Sequence, residues 1–277
     1  MSPAVRLTLL ALAATAALSG CKRREAEAPP APAPAAAPAT MTPADAAAPM
    51  AYDSKNQFAE VKLALPEAIK TQPDLHARVY AEAVRDLRQF VEGAQADQTE
   101  AGGESGQPYT QSIDITAAAE TGKLISLRRA TEEYTGGAHG NTRYGAVLWD
   151  KALKRQLGAG DLFRAGADAV ALNRALCEAV NVARKARGST EVITLGGTNG
   201  WACPEAIKLP FVLAAGTTPG KAGGLTFLID PYLVDAYAAG PYEITLPQSA
   251  FRALLNPAYA DEFAGAPQKA GDVTPRY

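Results

Sequence analysis

The stretch EYTGGAHGNTRYG, Glu133 to Gly145, sets one of the two histidines of the chain among four glycines. An imidazole that titrates near neutrality can serve as a general base or a metal ligand, or it can stand by on a loop whose glycines answer to backbone geometry. Chemistry at His139 needs partners within hydrogen-bond reach, and the candidates are Glu132, Glu133 and Asp161. The other histidine, His76, stands between Asp74 and Arg78 on a helical stretch and reads as a solvated or capping residue. The chain therefore offers no histidine pair for zinc, and no metal site is expected. GxSxG and SxxK nucleophile patterns are absent. AGTTPGKA misses the phosphate loop because Ala215 and Ala222 stand where it needs Gly and Ser or Thr, and GAGDLF lacks the third glycine of a dinucleotide fingerprint. No cofactor follows from these motifs. The favoured reading of TGGAHGN is structural: Gly136, Gly137 and Gly140 supply positive φ or close backbone approach at a bulged hairpin, and Asn141 tolerates the left-handed region.

Three cysteines remain to be explained, and the compartment decides how. After Arg6 the run LTLLALAATAAL is apolar, too short to span a bilayer and followed by small residues, which is the order of a secretory signal. Its exit, LSGC (Leu18 to Cys21), resembles the lipobox of bacterial lipoproteins. That resemblance implies that Cys21 is acylated and becomes the mature N-terminus, held to a membrane by its acyl chains. The alternative is an ordinary secretory signal in which Cys21 falls there by chance. By resemblance to the Gram-negative sorting rule, Lys22 points to the outer membrane, on its periplasmic face. In an oxidising compartment Cys177 and Cys203 are expected to form one disulfide, the alternative being two buried thiols.

Aromatic residues supply the other candidates for contact with a ligand. Tyr232, Tyr237 and Tyr242 recur every five residues and are expected mostly to pack around the turn at Gly240 and Pro241, their hydroxyls hydrogen-bonded; an exposed cluster that stacks on sugar rings is the alternative. Trp201, in the glycine-rich GGTNGWACP, is the stronger binding candidate, either a plug or an anchor. Candidate binding residues are thus His139, Trp201, Tyr232 and Tyr237.

The elements that must position these residues alternate along the chain. Residues 21–50, rich in Ala and Pro without apolar periodicity, are expected to form a disordered tether after a signal peptide over 1–20. FAEVKLAL (58–65) reads as a strand, and Leu75, Val79, Ala83, Leu87 and Val91 make one apolar face of a helix over 73–95. Strands are expected at 109–115, 123–134 and 143–150, a helix over 166–187, strands at 209–216, 224–230 and 242–246, and a short helix over 247–257. Strands in runs with helices between them argue α+β, with antiparallel sheets covered by helices and two intertwined modules in one globule. With 27 Lys+Arg against 29 Asp+Glu the balance is slightly acidic, so no nucleic-acid partner is expected.

YTGGAHGNTRYGAVLWDKALKRQLGAGDLF (Tyr134 to Phe163) resembles the signature of an envelope domain of unknown function. That domain forms the extracellular part of RsiV-type anti-sigma factors, which sense lysozyme, and also occurs beside polysaccharide deacetylase domains. GLTFLIDPYLVDAYAAGPYEITLPQSAFRALLNP (Gly224 to Pro257) resembles its second signature, and the preceding strand and helix resemble the small α/β module also found with PdaC-type deacetylases. The resemblance implies an N-terminal module over 51–120, an RsiV-like domain over 121–260 and a flexible tail over 261–277. Only MSPAVR precedes the apolar run, so a sigma-binding segment is not expected, and no fused deacetylase domain with its metal-binding Asp and His is found. The expected function is a lipid-anchored envelope binding module for a lysozyme-like muramidase or for peptidoglycan. Alternatives are a wall-acting hydrolase or deacetylase-associated enzyme using His139 with nearby carboxylates, and a purely structural lipoprotein.

Overall fold

The computed structural model describes residues 49–102, 107–198 and 200–275. The signal peptide, Cys21 and all but the end of the tether lie outside the described residues. The fold is α+β, with antiparallel pairing dominant. Strands β1 (Ala51–Lys55) and β2 (Ala59–Ala64) form a hairpin, closed by Asn56, whose Oδ1 accepts from the Phe58 and Ala59 amides at 2.8 Å each. Helix α1 (Pro73–Glu100) then crosses to β3 (Tyr109–Glu120), which pairs in parallel with β2. Strands β4 (Leu124–Tyr134), β5 (Asn141–Asp150) and β6 (Arg155–Leu157) complete a six-stranded sheet in chain order.

A short α2 (Ala159–Leu162) and α3 (Val170–Ala186) lead to the second sheet, β7 (Phe211–Ala215), β8 (Ala222–Ile229), β9 (Tyr242–Pro247) and β10 (Gly271–Asp272) in spatial order β10-β9-β8-β7. Every residue of β8 is buried, as befits a central strand covered on both faces.

Each helix buries the face its periodicity announces. Leu75, Val79, Ala83 and Leu87 of α1 pack on Ile113, Ile125, Leu127 and Trp149 of the first sheet, while Leu172, Leu176, Val180 and Ala183 of α3 pack on Leu225, Phe227 and Ile244 of the second. A fully buried leucine in such a face contributes about 1.5–3 kcal/mol. The sheets meet where Leu213 of β7 donates its amide to Ser126 Oγ of β4 at 3.1 Å.

Several expectations are corrected. A boundary at residue 120 would cut the β3–β4 hairpin, which pairs from Thr110↔Tyr134 to Glu120↔Ile125; the first sheet continues to Leu157. The helix expected over 247–257 is replaced by two 3-10 turns (248–250 and 252–254) and a four-residue α4 (Pro257–Ala260), because Phe251, at φ −139°, leaves helical geometry and carries its ring into the core. The tail expected to be flexible is packed: Glu262 and Phe263 are buried and β10 pairs with β9. Pro49 and Met50, placed in the tether, join the globule, where Met50 packs beside α1 and Pro49 O accepts from His76 Nε2 at 3.1 Å. His76 is accordingly buried rather than solvated.

Cys177 of α3 and Cys203 form a disulfide, with Cα atoms 5.2 Å apart at a sequence separation of 26. The crosslink secures the 188–203 connection to α3, and Asn181 reinforces it by donating to Ile193 O and accepting from the Ile193 amide at 2.9 Å each. Replacing both cysteines by serine should lower stability by roughly 3 kcal/mol, read as a reduced denaturant midpoint for the oxidised wild type against the variant. Coincident unfolding curves would remove the crosslink from the account.

Candidate functional site

Alternation along the strands gives the first sheet two unlike faces. Ile113, Ile115, Ile125 and Leu127 point to α1. On the opposite face, the register aligns Lys62, Ser112, Glu132 and Thr142 in one row across β2, β3, β4 and β5. The next row runs through Asp114, Ala130 and Tyr144. The second sheet covers the other end of this face, where Leu213 meets Ser126 and Glu243 pairs with Arg128, and leaves these rows beside a hollow. Two adjoining hollows result, each of about 610 Å³, which share Glu132 and Thr142 and so form one groove.

The groove's wall is the 230–241 loop with the C-terminal segment, and it is held by buried charge. Arg187, just past the end of α3, donates through Nη1 to the carbonyls of Ala239 (2.8 Å) and Pro241 (2.6 Å), through Nε and Nη2 to both Asp272 oxygens, and through Nη2 to Thr274 Oγ1 (2.7 Å). Its guanidinium lies 3.6 Å from the centroid of the Tyr242 ring. Burial acts to raise the Asp272 pKa, but hydrogen bonds from Thr274 and Arg187 outweigh it and hold the carboxyl below its ordinary value. Asp235 is treated alike: burial opposes ionisation, yet Ser189 Oγ (2.5 Å), Tyr242 Oη (2.7 Å) and the Ala236 amide donate to it and lower its pKa. The same contact drives the Tyr242 phenol above its ordinary pKa, burial first and the Asp235 carboxylate second.

At the inner end Arg128 pairs with Glu243 at 2.8 Å and lies 4.6 Å from the Tyr144 ring centroid. Burial there pushes the Tyr144 phenol up to about 12.

At the outer rim three rings meet. His139, on the β4–β5 loop, stacks on Tyr237 with centroids 3.7 Å apart and planes 17° from parallel, and Tyr232 lies 5.3 Å from Tyr237. Tyr237 Oη donates to Gly140 O at 2.6 Å, and His139 Nδ1 lies 2.8 Å from the same carbonyl, which puts the proton on that nitrogen. Nε2 then faces Tyr232 Oη at 3.5 Å, the outer limit of a hydrogen bond. Gly136 (φ 93°) and Gly137 (φ 90°) do supply left-handed backbone, and a Cβ at Gly140 would come within 3.0 Å of Glu133 O. The β4–β5 register, however, runs without a bulge, and Asn141 is an ordinary strand residue opposite Glu133.

Tyr232 itself sits at φ 67°, a conformation that costs a bulky residue of order 1–3 kcal/mol. It is held there from both sides, by Asp230 Oδ1, which accepts from the Tyr144 amide at 2.7 Å, and by Asp235.

Of the four binding candidates the structure therefore unites His139, Tyr232 and Tyr237, and separates Trp201, which lies half-buried against the core cluster that holds the disulfide. The carboxylates considered for catalysis do not converge on His139. Glu133 pairs with Arg143 at 2.7 Å, Asp161 pairs with Arg155 and accepts from the Gly158 amide at 2.9 Å each, and Glu132 lies on the groove floor. Among the described residues no group of three His, Cys, Asp or Glu is placed to hold a metal ion. Sequence reasoning missed Arg187 as a clasp, and missed Asp114 and Asp272. The alternation of Thr110, Ser112, Asp114 and Thr116 with Gln111, Ile113 and Ile115 was a signal for the open polar face.

Residues 52–142, less than half of the chain, match a sequence family described as "Deacetylase PdaC"; they run from β1 to the beginning of β5 and supply most of the groove floor. A DUF3298 family protein from Pseudomonas aeruginosa shares the fold at a TM-score of 0.50 and 15% identity, over 78% of this chain and 94% of that one. A DUF3298 family member from Bacteroides fragilis aligns at a TM-score of 0.46 and 20% identity, over 74% of this chain and 88% of that one. No curated relative matches the sequence.

The clasp makes the wall sensitive to acid. Because the Asp272 pKa is lowered in the fold from its ordinary 3.8, its contribution is fully present above that value and is lost as the pH falls through the lower, folded one. Thermal melts from about pH 6 to about pH 2 should show a steeper loss in the wild type than in Asp272→Asn, which already lacks the contribution. Parallel curves would rule the clasp out as an acid-labile element.

Proposed function

We propose that this protein is a binding module of the bacterial cell envelope, anchored by lipid on Cys21 at the periplasmic face of the outer membrane, whose groove holds peptidoglycan. The observation that carries the reading is the open polar groove on the first sheet, edged by a fixed aromatic rim. A concavity that sets hydrogen-bonding side chains beside aromatic rings offers a ligand both polar partners and a stacking face. The sequence family matched by residues 52–142 takes its name from a deacetylase, and the LSGC resemblance supports an envelope address. The arrangement favours binding over catalysis, since His139 hydrogen-bonds to a backbone carbonyl and faces a phenol rather than a carboxylate.

The test is sedimentation of the purified full chain with isolated peptidoglycan, beside capture on immobilised lysozyme. Retention on peptidoglycan is the expected result. Binding to lysozyme alone would replace the wall polymer by a muramidase, which the slightly acidic net charge of −2 would help to attract. Location is tested separately. Cys21→Ala should move the protein from the membrane fraction to the soluble one, because no acyl chain can then attach. A variant that stayed with the membrane would end the lipoprotein reading.

A further inference from the structure

We infer that the His139, Tyr237 and Tyr232 rings form a saccharide-docking platform, so that the groove receives the sugar strand of its ligand and not the peptide; this rests on the groove being a binding site. Tyr232 is 52% exposed and the neighbouring Leu233 45%, although the loop bearing them is pinned at Asp230 and Asp235. A bulky ring presented to solvent from a left-handed backbone is disfavoured twice, by conformation and by hydration. The turn that carries Tyr232 is closed by the Leu233 amide, which donates to Asp230 O at 3.3 Å, but among the described residues the ring itself meets only the tilted rings of His139 and Tyr237 and the 3.5 Å approach to His139 Nε2, so its outer face is left to solvent. A ligand can cover that face.

The chemistry of that ligand follows from what surrounds the platform. An aromatic face with a polar tip suits the C–H face of a pyranose, whose hydroxyls then need partners beside it. The floor provides them in the row of Lys62, Ser112, Glu132 and Thr142, spaced by the strand separation of about 4.8 Å. Glu132 and Asp114 are exposed and have no ion-pair partner among the described residues, so they accept from sugar hydroxyls and repel the carboxylates of a peptide. Arg128 and Arg187, the cations of the inner hollow, are each engaged by a carboxylate and leave no free charge for an anionic ligand. The rim is assembled before a ligand arrives, since Tyr237 Oη donates to the Gly140 carbonyl and its ring stacks on His139, which joins the loop to the hairpin tip.

Calorimetric titration of the full chain with a β-1,4-linked N-acetylglucosamine tetramer tests the inference. The tetramer should bind, Tyr232→Ala should weaken it about tenfold, and Tyr232→Trp should preserve it. Tyr232→Gly should weaken binding equally while raising the melting temperature, because glycine adopts positive φ without strain. That opposite movement of affinity and stability excludes simple misfolding as the cause. A tetramer that binds the Tyr232→Ala chain as tightly as the wild type overturns the platform. Retention on peptidoglycan, or on lysozyme, without binding of the tetramer overturns the saccharide assignment and leaves a binding module standing. Failure to bind tetramer, peptidoglycan and lysozyme alike overturns both.

Discussion

The guanidinium of Arg187 joins three parts of the chain that are remote in sequence: the end of α3, the 237–241 loop and the segment around Asp272. Its planar fork matches the carboxylate of Asp272 and two carbonyls at once, and the Tyr242 ring beneath it excludes water from one face. Ion pairs at a surface contribute little, but this one is largely withdrawn from solvent, with 14% of each side chain exposed. Removing either partner would leave the other charged, desolvated and unpaired, which is the costly case. Without the clasp the loop loses its hold at Ala239 and Pro241, and the groove loses its wall.

From that clasp the rest of the site can be followed outward. The pinned loop sets Tyr237 against the β4–β5 hairpin tip, where the glycines give the backbone the turn that brings His139 over the phenol ring. The floor depends on neither, since its polar row is fixed by strand register in a sheet whose other face is packed against α1. A rigid floor and a separately clasped wall are thus built by different interactions. Changes in the wall can alter the site without unravelling the sheet.

How far this was legible in the sequence depended on the range of the interactions involved. The apolar periodicities of α1 and α3, the main strands, the pairing of Cys177 with Cys203 and the positive φ of Gly136 and Gly137 are local or carry a chemical label, and they could be read. β1 could not, because AYDSK has no apolar alternation and becomes a strand by hydrogen-bonding to β2. His139 gave no hint of its partners, since Tyr232 stands 93 residues away. Trp201 could be read as a plug or an anchor in its glycine-rich loop, and the disulfide nearby holds that loop so that the indole lies half-buried against the core, away from the groove. The segment after residue 260 looked free because Phe263 and Asp272 have no local pattern, and their partners are an apolar cluster and one arginine elsewhere.

The position of Asp272 in the chain order also governs when the site exists. A polypeptide made from its N-terminus delivers the whole six-stranded sheet by Leu157, α3 by Ala186 and the loop by Pro241, while the carboxylate that locks Arg187 arrives after all of them. The floor can therefore form early, as an open sheet face, but the wall stays unlatched until the C-terminal segment folds back along β9. The complete groove is therefore a property of the chain carried through to its C-terminal segment. A copy clipped before Asp272 would carry the floor without the latched wall.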